Sequence, residues 1–279
     1  SRMTPDEYCQ QKAAHSGSSF YYSFLFLPPD RRRAITALYA FCREVDDVVD
    51  ECQDPQIAAA KLVWWRQELA SLADGRPQHP VTQALQAASN EFHLPEEQLA
   101  EIVDGMEMDL RQTRYLDFKA LSLYCYRVAG VVGLLAAQIF GYQDRRTQKY
   151  AHDLGIAFQL TNIIRDVGED ARRGRIYLPI EDLQRFGVTA ADILNARHSH
   201  DFRRLMEFQI ERAESYYTQA IGALPAVDRK AQRPGLVMAA IYRTLLEEIR
   251  RDGCQVLSQR TSLTPIRKLW IAWRTWARG

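Results

Sequence analysis

Two stretches of the chain carry the same pattern of acidic side chains: YAFCREVDDVVD at residues 39–50 and QLTNIIRDVGED at residues 159–170. Apolar residues recur between the acids at helical spacing, so both stretches are predicted to be α-helical. Residues four positions apart on a helix project from one face about one turn apart. Each stretch therefore places two carboxylates side by side, Asp46 with Asp50 and Asp166 with Asp170.

The remaining segments also follow a helical period, with prolines at the borders of the periodic runs. Proline just inside a helix, behind a capping residue, is a typical start signal, and Thr4-Pro5-Asp6-Glu7 combines it with a capping box. No Asn-Gly or Asp-Gly pair separates alternating strand-like runs. We therefore expect helices near residues 5–15, 30–52, 55–74, 79–92, 95–112, 117–141, 144–173, 190–222, 226–258 and 264–277.

This pattern predicts an all-α fold. Short connections imply neighbouring antiparallel helices, so we expect a helical bundle that forms a single domain over residues 1–279. The segment 117–141 is apolar nearly all round, which places it in the middle of the bundle. Its small residues either let another helix pack closely or leave room for a ligand. Close packing is favoured for such a helix taken alone.

Composition excludes several classes of function. The chain has 279 residues, and its net charge of +1 gives no broad electrostatic reason to expect nucleic acid as a partner. Five cysteines form an odd set without a Cys-x-x-Cys pair, so a reduced compartment is expected rather than a disulfide framework or a zinc site. Ser1 and Arg2 precede Met3, as in the remnant of an expression vector, and no signal peptide is expected after Met3.

The acidic pairs carry the strongest functional signal. Like charges one turn apart destabilise a helix by about 0.2–0.5 kcal/mol even in water, and a divalent cation removes that repulsion. Magnesium prefers carboxylate oxygens together with substrate phosphates. Two pairs therefore suggest two metal–diphosphate sites that face each other. Gln159 and Asn162 share the stripe of the second pair and would add neutral oxygen or amide contacts. Three arginines are candidates for phosphate oxygens: Arg43, Arg165 and Arg175.

A single Asp-x-x-x-Asp on a helix usually marks only a solvated face. The repetition of the pattern, each time with arginine and a polar stripe inside a largely apolar helix, is much harder to explain in that way. The spacing alone therefore favours a diphosphate site.

Nearly the whole chain resembles the squalene/phytoene synthase family. The resemblance rests on the two acidic stretches, on HSGSSF at residues 15–20, on YCYRVAGVVG at residues 124–133, on RIYLP at residues 175–179 and on AIYR at residues 240–243. It implies the all-α isoprenoid synthase fold with a central prenyl-binding cavity. It also implies divalent metal, Mg²⁺ with Mn²⁺ as a substitute, held by Asp46, Asp50, Asn162, Asp166 and Asp170.

The resemblance also implies roles for residues outside the metal set. Tyr124 would approach the reacting carbons, and Tyr39 and Tyr242 would stabilise passing cations. Ala129 and Gly133 would make room for prenyl chains. The diphosphates would be met by His15, Ser16, Ser18, Arg43, Gln159, Asn162, Arg165, Arg175 and Tyr177.

The activity that the resemblance implies is head-to-head condensation of two isoprenoid diphosphates. The pattern looks most like bacterial presqualene diphosphate synthases of hopanoid pathways, which join two farnesyl diphosphates and are not expected to require NADPH. Phytoene, dehydrosqualene or squalene synthesis is the runner-up. Prenyl chain elongation and terpene cyclisation are disfavoured because the second stretch lacks a repeated Asp-Asp. A non-enzymatic lipid-binding or assembly protein would be expected to have lost the acids, whereas all four are present.

The segment 264–277 is predicted to be an amphipathic C-terminal helix. At 100° per residue its apolar arc holds Ile266, Leu269, Trp270, Trp273, Trp276 and Ala277, and basic residues lie opposite. Basic residues opposite tryptophan suggest a helix in a membrane interface. Packing on its own domain is the equal alternative. We expect the protein to be cytoplasmic, and the first of these alternatives would place it peripherally on the inner face of the cell membrane.

Overall fold

A computed structural model describes residues 2–15 and 19–279, and over these residues the chain is helical and contains no strand. The all-α prediction is confirmed. The α-helices are α1 (Pro5–His15), α2 (Phe20–Ser23), α3 (Pro29–Glu51), α4 (Pro55–Ala73), α5 (Pro80–Phe92), α6 (Glu96–Arg111), α7 (Phe118–Cys125), α8 (Val131–Phe140), α9 (Thr147–Arg165), α10 (Val167–Arg172), α11 (Ile180–Phe186), α12 (Ala190–Leu194), α13 (His200–Ala223), α14 (Arg233–Arg251) and α15 (Pro265–Arg278).

Helix starts follow the proline signals of the sequence. The helices α3, α4, α5 and α15 each have proline in their first turn. The Asp54 side chain accepts a hydrogen bond from the Gln56 backbone N–H at 2.9 Å, which satisfies one of the free donors at the start of α4. The Thr264 hydroxyl caps α15 in the same way, by accepting from Arg267 N–H at 3.2 Å.

The predicted helix 144–173 is divided at Asp166, which separates α9 from α10. The cause is a contact with the segment that follows α14. The Gly168 N–H donates to the Val256 carbonyl at 3.1 Å, and a Cβ on Gly168 would lie 2.5 Å from that same oxygen. The backbone of this segment therefore occupies the place where a regular helix with side chains would run.

Two other predicted helices are also shorter than expected. The segment 190–222 forms α12 and α13, because Ala196 adopts a positive φ of 53° that ends the first helix and Ser199 caps the second. The segment 226–258 contains only a short 3₁₀ turn and α14, since Gly253 and Cys254 both have positive φ after Arg251. The short helices α2 and α11 were not predicted.

The predicted helix 117–141 lies in the middle of the bundle, as expected. It is continuous over Phe118–Phe140, with a π-helical segment at Tyr126–Gly130 between α7 and α8. By length and hydropathy alone this helix could cross a membrane. In the structure it joins two hydrophobic cores, because Leu121 packs into one of them and Leu135 into the other.

Close packing of this central helix on α9 requires glycine. A Cβ on Gly155 would lie 2.3 Å from the Ala129 carbonyl oxygen, and one on Gly133 would lie 2.2 Å from the Ala151 carbonyl oxygen. Both distances are far below a van der Waals contact. The space beside Gly133 on this side is thus filled by α9, so its missing side chain lets the two helices pack closely.

We predict that Gly155→Ala lowers the free energy of unfolding by about 2–3 kcal/mol, because the added methyl group forces α9 away from the π segment. Gly222→Ala is the matched control. Gly222 also lies in a helix, but a Cβ there meets no atom within 4 Å, so alanine should stabilise by about 0.5–1 kcal/mol. Urea denaturation followed by circular dichroism measures both. Equal effects of the two substitutions on the free energy of unfolding would show that α9 and the π segment are not tightly packed at Gly155.

Candidate active site

The two acidic stretches face each other, and an arginine joins them. The Arg173 guanidinium donates to Asp50 from Nη1 and to Asp170 from Nη2, each at 2.8 Å. Asp50 lies near the end of α3 and Asp170 in α10, so one side chain contacts both motifs. Because a guanidinium is only a few ångströms wide, the two carboxylates share one small space. The predicted convergence of the pairs is therefore present.

The first stretch presents its acids to two different environments. The Arg43 guanidinium forms an ion pair with Asp46 at 2.8 Å. Asp46 lies on the same face of α3 as Asp50. Asp47 lies between the other nitrogen of Arg43 at 2.8 Å and Lys12 of α1 at 2.6 Å. Asp46 and Asp50 are thus the pair that faces the second motif, while Asp47 links α3 to α1.

The second stretch is likewise held by arginine. Arg165 forms two parallel hydrogen bonds to Asp166, at 2.7 and 2.9 Å, which is the strong bidentate geometry of guanidinium and carboxylate. Arg260 approaches the same carboxylate at 3.3 Å. The Asn162 Oδ1 atom is buried and has no hydrogen-bond partner within residues 2–15 and 19–279. Gln159 lies one turn earlier on α9 and is partly buried.

Burial makes these carboxylates difficult to ionise. It raises the pKa of Asp170 to about 7, with a contribution from the neighbouring Asp166, while Arg173 acts in the opposite direction. Burial also raises the pKa of Asp46, and the charge of Asp50 adds to the effect. Each pair therefore needs either protons or additional positive charge near neutral pH.

A third acid, Asp109 of α6, extends the charged region. Its side chain is 2% exposed and contacts Arg175 at 2.7 Å. It also accepts a hydrogen bond from the Tyr177 hydroxyl at 2.5 Å. Burial raises the pKa of Asp109, and Arg175 and Tyr177 oppose that rise. Arg175 and Tyr177, both predicted to meet phosphate, are therefore brought to the site but bound to Asp109.

Three buried tyrosines lie beside Asp109. The Tyr124 ring stacks on Tyr177 with centroids 5.5 Å apart, and Tyr115 lies 5.6 Å from Tyr124 and 6.0 Å from Tyr177. Burial raises the pKa of Tyr124 well above its ordinary value, and Tyr177, Asp109 and Asp46 add to that rise. Tyr124 therefore stays protonated at neutral pH and lies close to the acids, and its approach to the reacting carbons stays a prediction.

Tyr39 and Tyr242 come from different helices and lie near the arginines. The Tyr39 ring is 4.0 Å from Phe20, and Tyr242 is 5.3 Å from Phe158. Burial raises the pKa of Tyr242, Arg165 lowers it, and Tyr39 is close enough to contribute to the rise. Both predicted tyrosines are therefore part of the same site.

The predicted N-terminal residues are only partly accounted for. His15 is exposed at the end of α1, where its Nδ1 donates to the Gln11 carbonyl at 2.7 Å. Ser16 and Ser18 lie outside the described residues. Ala129 is partly buried in the π segment, and its contact with substrate, like that of Gly133, remains a prediction.

Magnesium fits the donor atoms of this site. Within residues 2–15 and 19–279 no three His, Cys, Asp or Glu side chains lie close enough to hold a metal ion by themselves. Magnesium is commonly bound by one or two carboxylates together with water and substrate phosphates. The unpaired Asn162 Oδ1 and the raised pKa values of Asp46 and Asp170 are consistent with a site completed by a cation and a ligand.

Sequence reasoning missed Asp109, Arg173, Arg260 and Tyr115. Asp109 could have been found, because it continues the buried stripe of Leu99, Ile102 and Met106 along α6 at helical spacing, where a carboxylate is unexpected. Arg173 directly follows α10 and precedes Gly174, whose φ of 77° ends the helix, so in the sequence it looks like an ordinary basic helix end. Arg260 and Tyr115 carried no comparable signal.

Two recesses in the surface lie away from the acidic motifs. One of about 650 Å³ opens between α7, α9 and α13 and is lined in part by Tyr126, His152 and Tyr216. The other, of about 220 Å³, lies beside α6 near Glu107 and Arg127. Neither is lined by an acid of the two stretches.

Comparison with known proteins gives one consistent family. The family model described as squalene/phytoene synthase matches residues 13–267. The chain is similar to the 15-cis-phytoene synthase of Synechocystis sp., with 37% identity over 98% of this chain and 85% of that protein. It is also similar to the phytoene synthase of Arthrospira platensis, with 38% identity over 94% of this chain and 89% of that protein.

Two solved structures are also similar to this chain. A dehydrosqualene synthase in complex with ligand superposes with a TM-score of 0.86 at 29% identity, over 98% of this chain and 96% of that one. The squalene synthase HpnC from Alicyclobacillus acidocaldarius superposes with a TM-score of 0.79 at 30% identity, over 89% and 94% of the two chains.

We predict that Asp170→Asn raises the melting temperature in the absence of divalent ions, and more at pH 8 than at pH 5. A carboxyl whose pKa is raised on folding from its ordinary 3.8 to about 7 destabilises the folded state increasingly as pH rises through that window. The gain in stability at pH 8 is bounded at about 4 kcal/mol, since one pKa unit corresponds to about 1.4 kcal/mol.

Thermal unfolding at the two pH values, with and without magnesium, measures this effect. Glu91→Gln, on an exposed part of α5, is the control and should show no such dependence. A larger gain at pH 5 than at pH 8 would contradict the environment described for Asp170.

Proposed function

We propose that this chain, which belongs to the squalene/phytoene synthase family, joins two farnesyl diphosphates head to head and releases presqualene diphosphate. The observation that carries the proposal is the pair of contacts from Arg173 to Asp50 and Asp170. They place acids from both motifs around one cationic group. A diphosphate with divalent cations is the ligand whose charges suit such a site.

The metal would be held by Asp46, Asp50, Asn162, Asp166 and Asp170. When bound, magnesium would act as a Lewis acid that neutralises the leaving diphosphate and orients it. Asn162 suits this set because its Oδ1 is buried and free to accept within the described chain. Asp46 and Asp170 suit it because burial already favours partners of positive charge for both.

Arginine would hold the phosphate oxygens. Arg43 and Arg165 each contact one acid of the metal set, so either can move a short distance to a diphosphate while remaining near that acid. Their planar forks match phosphate geometry. Arg173 lies at the centre of the site and would exchange one of its carboxylates for a phosphate oxygen. The allylic C–O bond then breaks with its electron pair retained on the diphosphate.

The tyrosines would protect and stabilise the carbocation. Tyr115, Tyr124 and Tyr177 present buried ring faces beside the acids, and an aromatic face attracts a cation. The cation adds to the double bond of the second farnesyl chain, and loss of one proton closes the cyclopropane ring. Because Tyr124 has a strongly raised pKa, it is a poor base. The released diphosphate is therefore the favoured proton acceptor.

Phytoene synthesis from two geranylgeranyl diphosphates is the second candidate. The identity of 37–38% to two phytoene synthases supports it. The C15 assignment is supported by the overall pattern of motifs, which looks most like presqualene diphosphate synthases, and by the likeness to a dehydrosqualene synthase and a squalene synthase. NADPH is not expected to be required for a reaction that stops at the cyclopropyl diphosphate.

We predict that purified protein with farnesyl diphosphate and magnesium, without NADPH, releases one diphosphate for every two substrates and accumulates presqualene diphosphate. Liquid chromatography with mass spectrometry of the products measures this, and geranylgeranyl diphosphate is tested in parallel. Turnover of only the C20 substrate would move the assignment to phytoene synthesis. Longer linear diphosphates would remove the head-to-head assignment.

We also predict that Asp46→Asn and Asp170→Asn each lower kcat at least about 100-fold, because each removes a carboxylate that would hold the magnesium that neutralises the leaving diphosphate. Asp47→Asn is the matched control. It alters the same helix, but Asp47 faces Lys12 rather than the second motif, so its kcat should fall much less. Helix content by circular dichroism should not change in any variant. Full activity of the first two variants would exclude these carboxylates as metal ligands.

A further inference from the structure

The C-terminal helix α15 exposes an apolar face to solvent. Four large side chains at spacings of three and four residues form this docking face: Ile266, Leu269, Trp270 and Trp273, which are 82%, 46%, 55% and 55% exposed. Trp270 and Trp273 stack on each other with centroids 5.6 Å apart. Ile271 and Ala272, on the other side of the helix, are buried. The helix thus packs on the protein through one face and leaves a second apolar face uncovered.

This face belongs to a well-anchored helix. Arg233 of α14 lies 4.0 Å from the Trp276 ring and also donates to the Trp276 carbonyl at 3.3 Å. Phe26 also packs on Trp276, with 5.3 Å between ring centroids. The predicted arc is therefore divided, because Trp276 turns to the protein while the docking face turns outward.

The part of the sequence that contains the docking face carries only basic charged residues. No acidic residue follows Asp252, whereas five basic residues do. Arg267 is paired with Glu248 at 3.0 Å, but Arg274 and Arg278 are exposed and lie on one flank of the apolar face at helical spacing. Tryptophan bordered by arginine suits the boundary between acyl chains and anionic headgroups.

The helix also lies beside the candidate active site. Lys268, next to Leu269, is 5.8 Å from the Tyr22 ring. Burial lowers the pKa of Lys268, and the nearby charges of Arg165 and Arg260 contribute to that shift. Both arginines contact Asp166. Lys268 projects from the side of α15 away from the docking face, so a bilayer held at that face would lie about one helix diameter (~10 Å) from the second acidic motif. Tyr21 and Phe26, 62% and 37% exposed, belong to the neighbouring segment at α2 and after it.

We propose that the docking face inserts into the interface of an anionic lipid bilayer and anchors the protein there, with the second acidic motif about one helix diameter from the surface. A second copy of the chain fits this face less well. Four side chains of one helix are too few to bury the roughly 1,000 Å² of a stable interface, and a two-fold contact would bring like-charged arginines together. The proposal goes beyond the reaction proposed above and does not depend on which substrate is used.

The first experiment tests whether the apolar side chains contribute to binding. It measures cosedimentation of the full chain with vesicles of phosphatidylcholine and phosphatidylglycerol, without substrate. Trp270→Ser and Ile266→Ser should each weaken binding about tenfold, because each removes a large apolar group from the interface. Trp64→Ser is the matched control, since Trp64 is 43% exposed and also packs on a second tryptophan. It should leave binding unchanged. Circular dichroism confirms that each variant is folded.

A double substitution of arginines tests whether anionic headgroups contribute to binding. Replacing both Arg274 and Arg278 by glutamine should weaken binding to anionic vesicles about 30-fold, at about 1 kcal/mol for each arginine, and should change binding to neutral vesicles little. Replacing the exposed Arg145 and Arg229, which lie far from α15 in the sequence, is the control.

The proposal is overturned if the α15 variants bind vesicles as the parent does, or if the control variants lose as much. It is also overturned if sedimentation velocity shows that Trp270→Ser abolishes a dimer while vesicle binding persists. Activity on detergent-dispersed substrate is measured separately, so loss of docking and loss of catalysis are distinguished.

Discussion

Repulsion among carboxylates is the constraint on which the site depends. Asp46, Asp50, Asp166 and Asp170 are brought together in a partly enclosed space, and like charges in such a space are costly. Arginine compensates each of them, from Arg43, Arg165 and Arg173. Because these arginines are suited to phosphate as well, the same groups that stabilise the protein alone can receive a diphosphate. Binding then becomes an exchange of partners rather than the burial of new charge.

The fold holds the acids together through contacts made far from them. The central helix approaches α9 at glycine, where any side chain would collide with backbone, and this places the second motif beside the tyrosines. Gly168 makes a similar contact with the segment after α14. That contact divides α9 from α10, the helix that carries Asp170. The acids on α3 and α10 are 120 residues apart in sequence, so such helix packing decides whether they meet.

Sequence periodicity was sufficient for the all-α fold, for most helix starts and for the two acidic pairs, because these depend on local propensity and spacing. The break at Asp166 was not predictable, since its cause is a backbone 90 residues further along. Arg173 looked like an ordinary basic helix end until the first motif was placed opposite it. Asp109 is different. Its position on the apolar stripe of α6 is visible in the sequence, where a carboxylate is unexpected.

Asp109 also explains how the charged and the apolar parts of the site are joined. It holds Arg175 on one side and the hydroxyl of Tyr177 on the other, and the Tyr177 ring stacks on Tyr124. Charge is thus balanced at Asp109, and the stacked rings of Tyr177 and Tyr124 lie next to it. A substrate with a diphosphate head and an apolar tail requires the same change along its length, from charged to aromatic surroundings. The carbon next to the phosphates would then lie where the acids end and the tyrosines begin, which is where a carbocation must be stabilised without water.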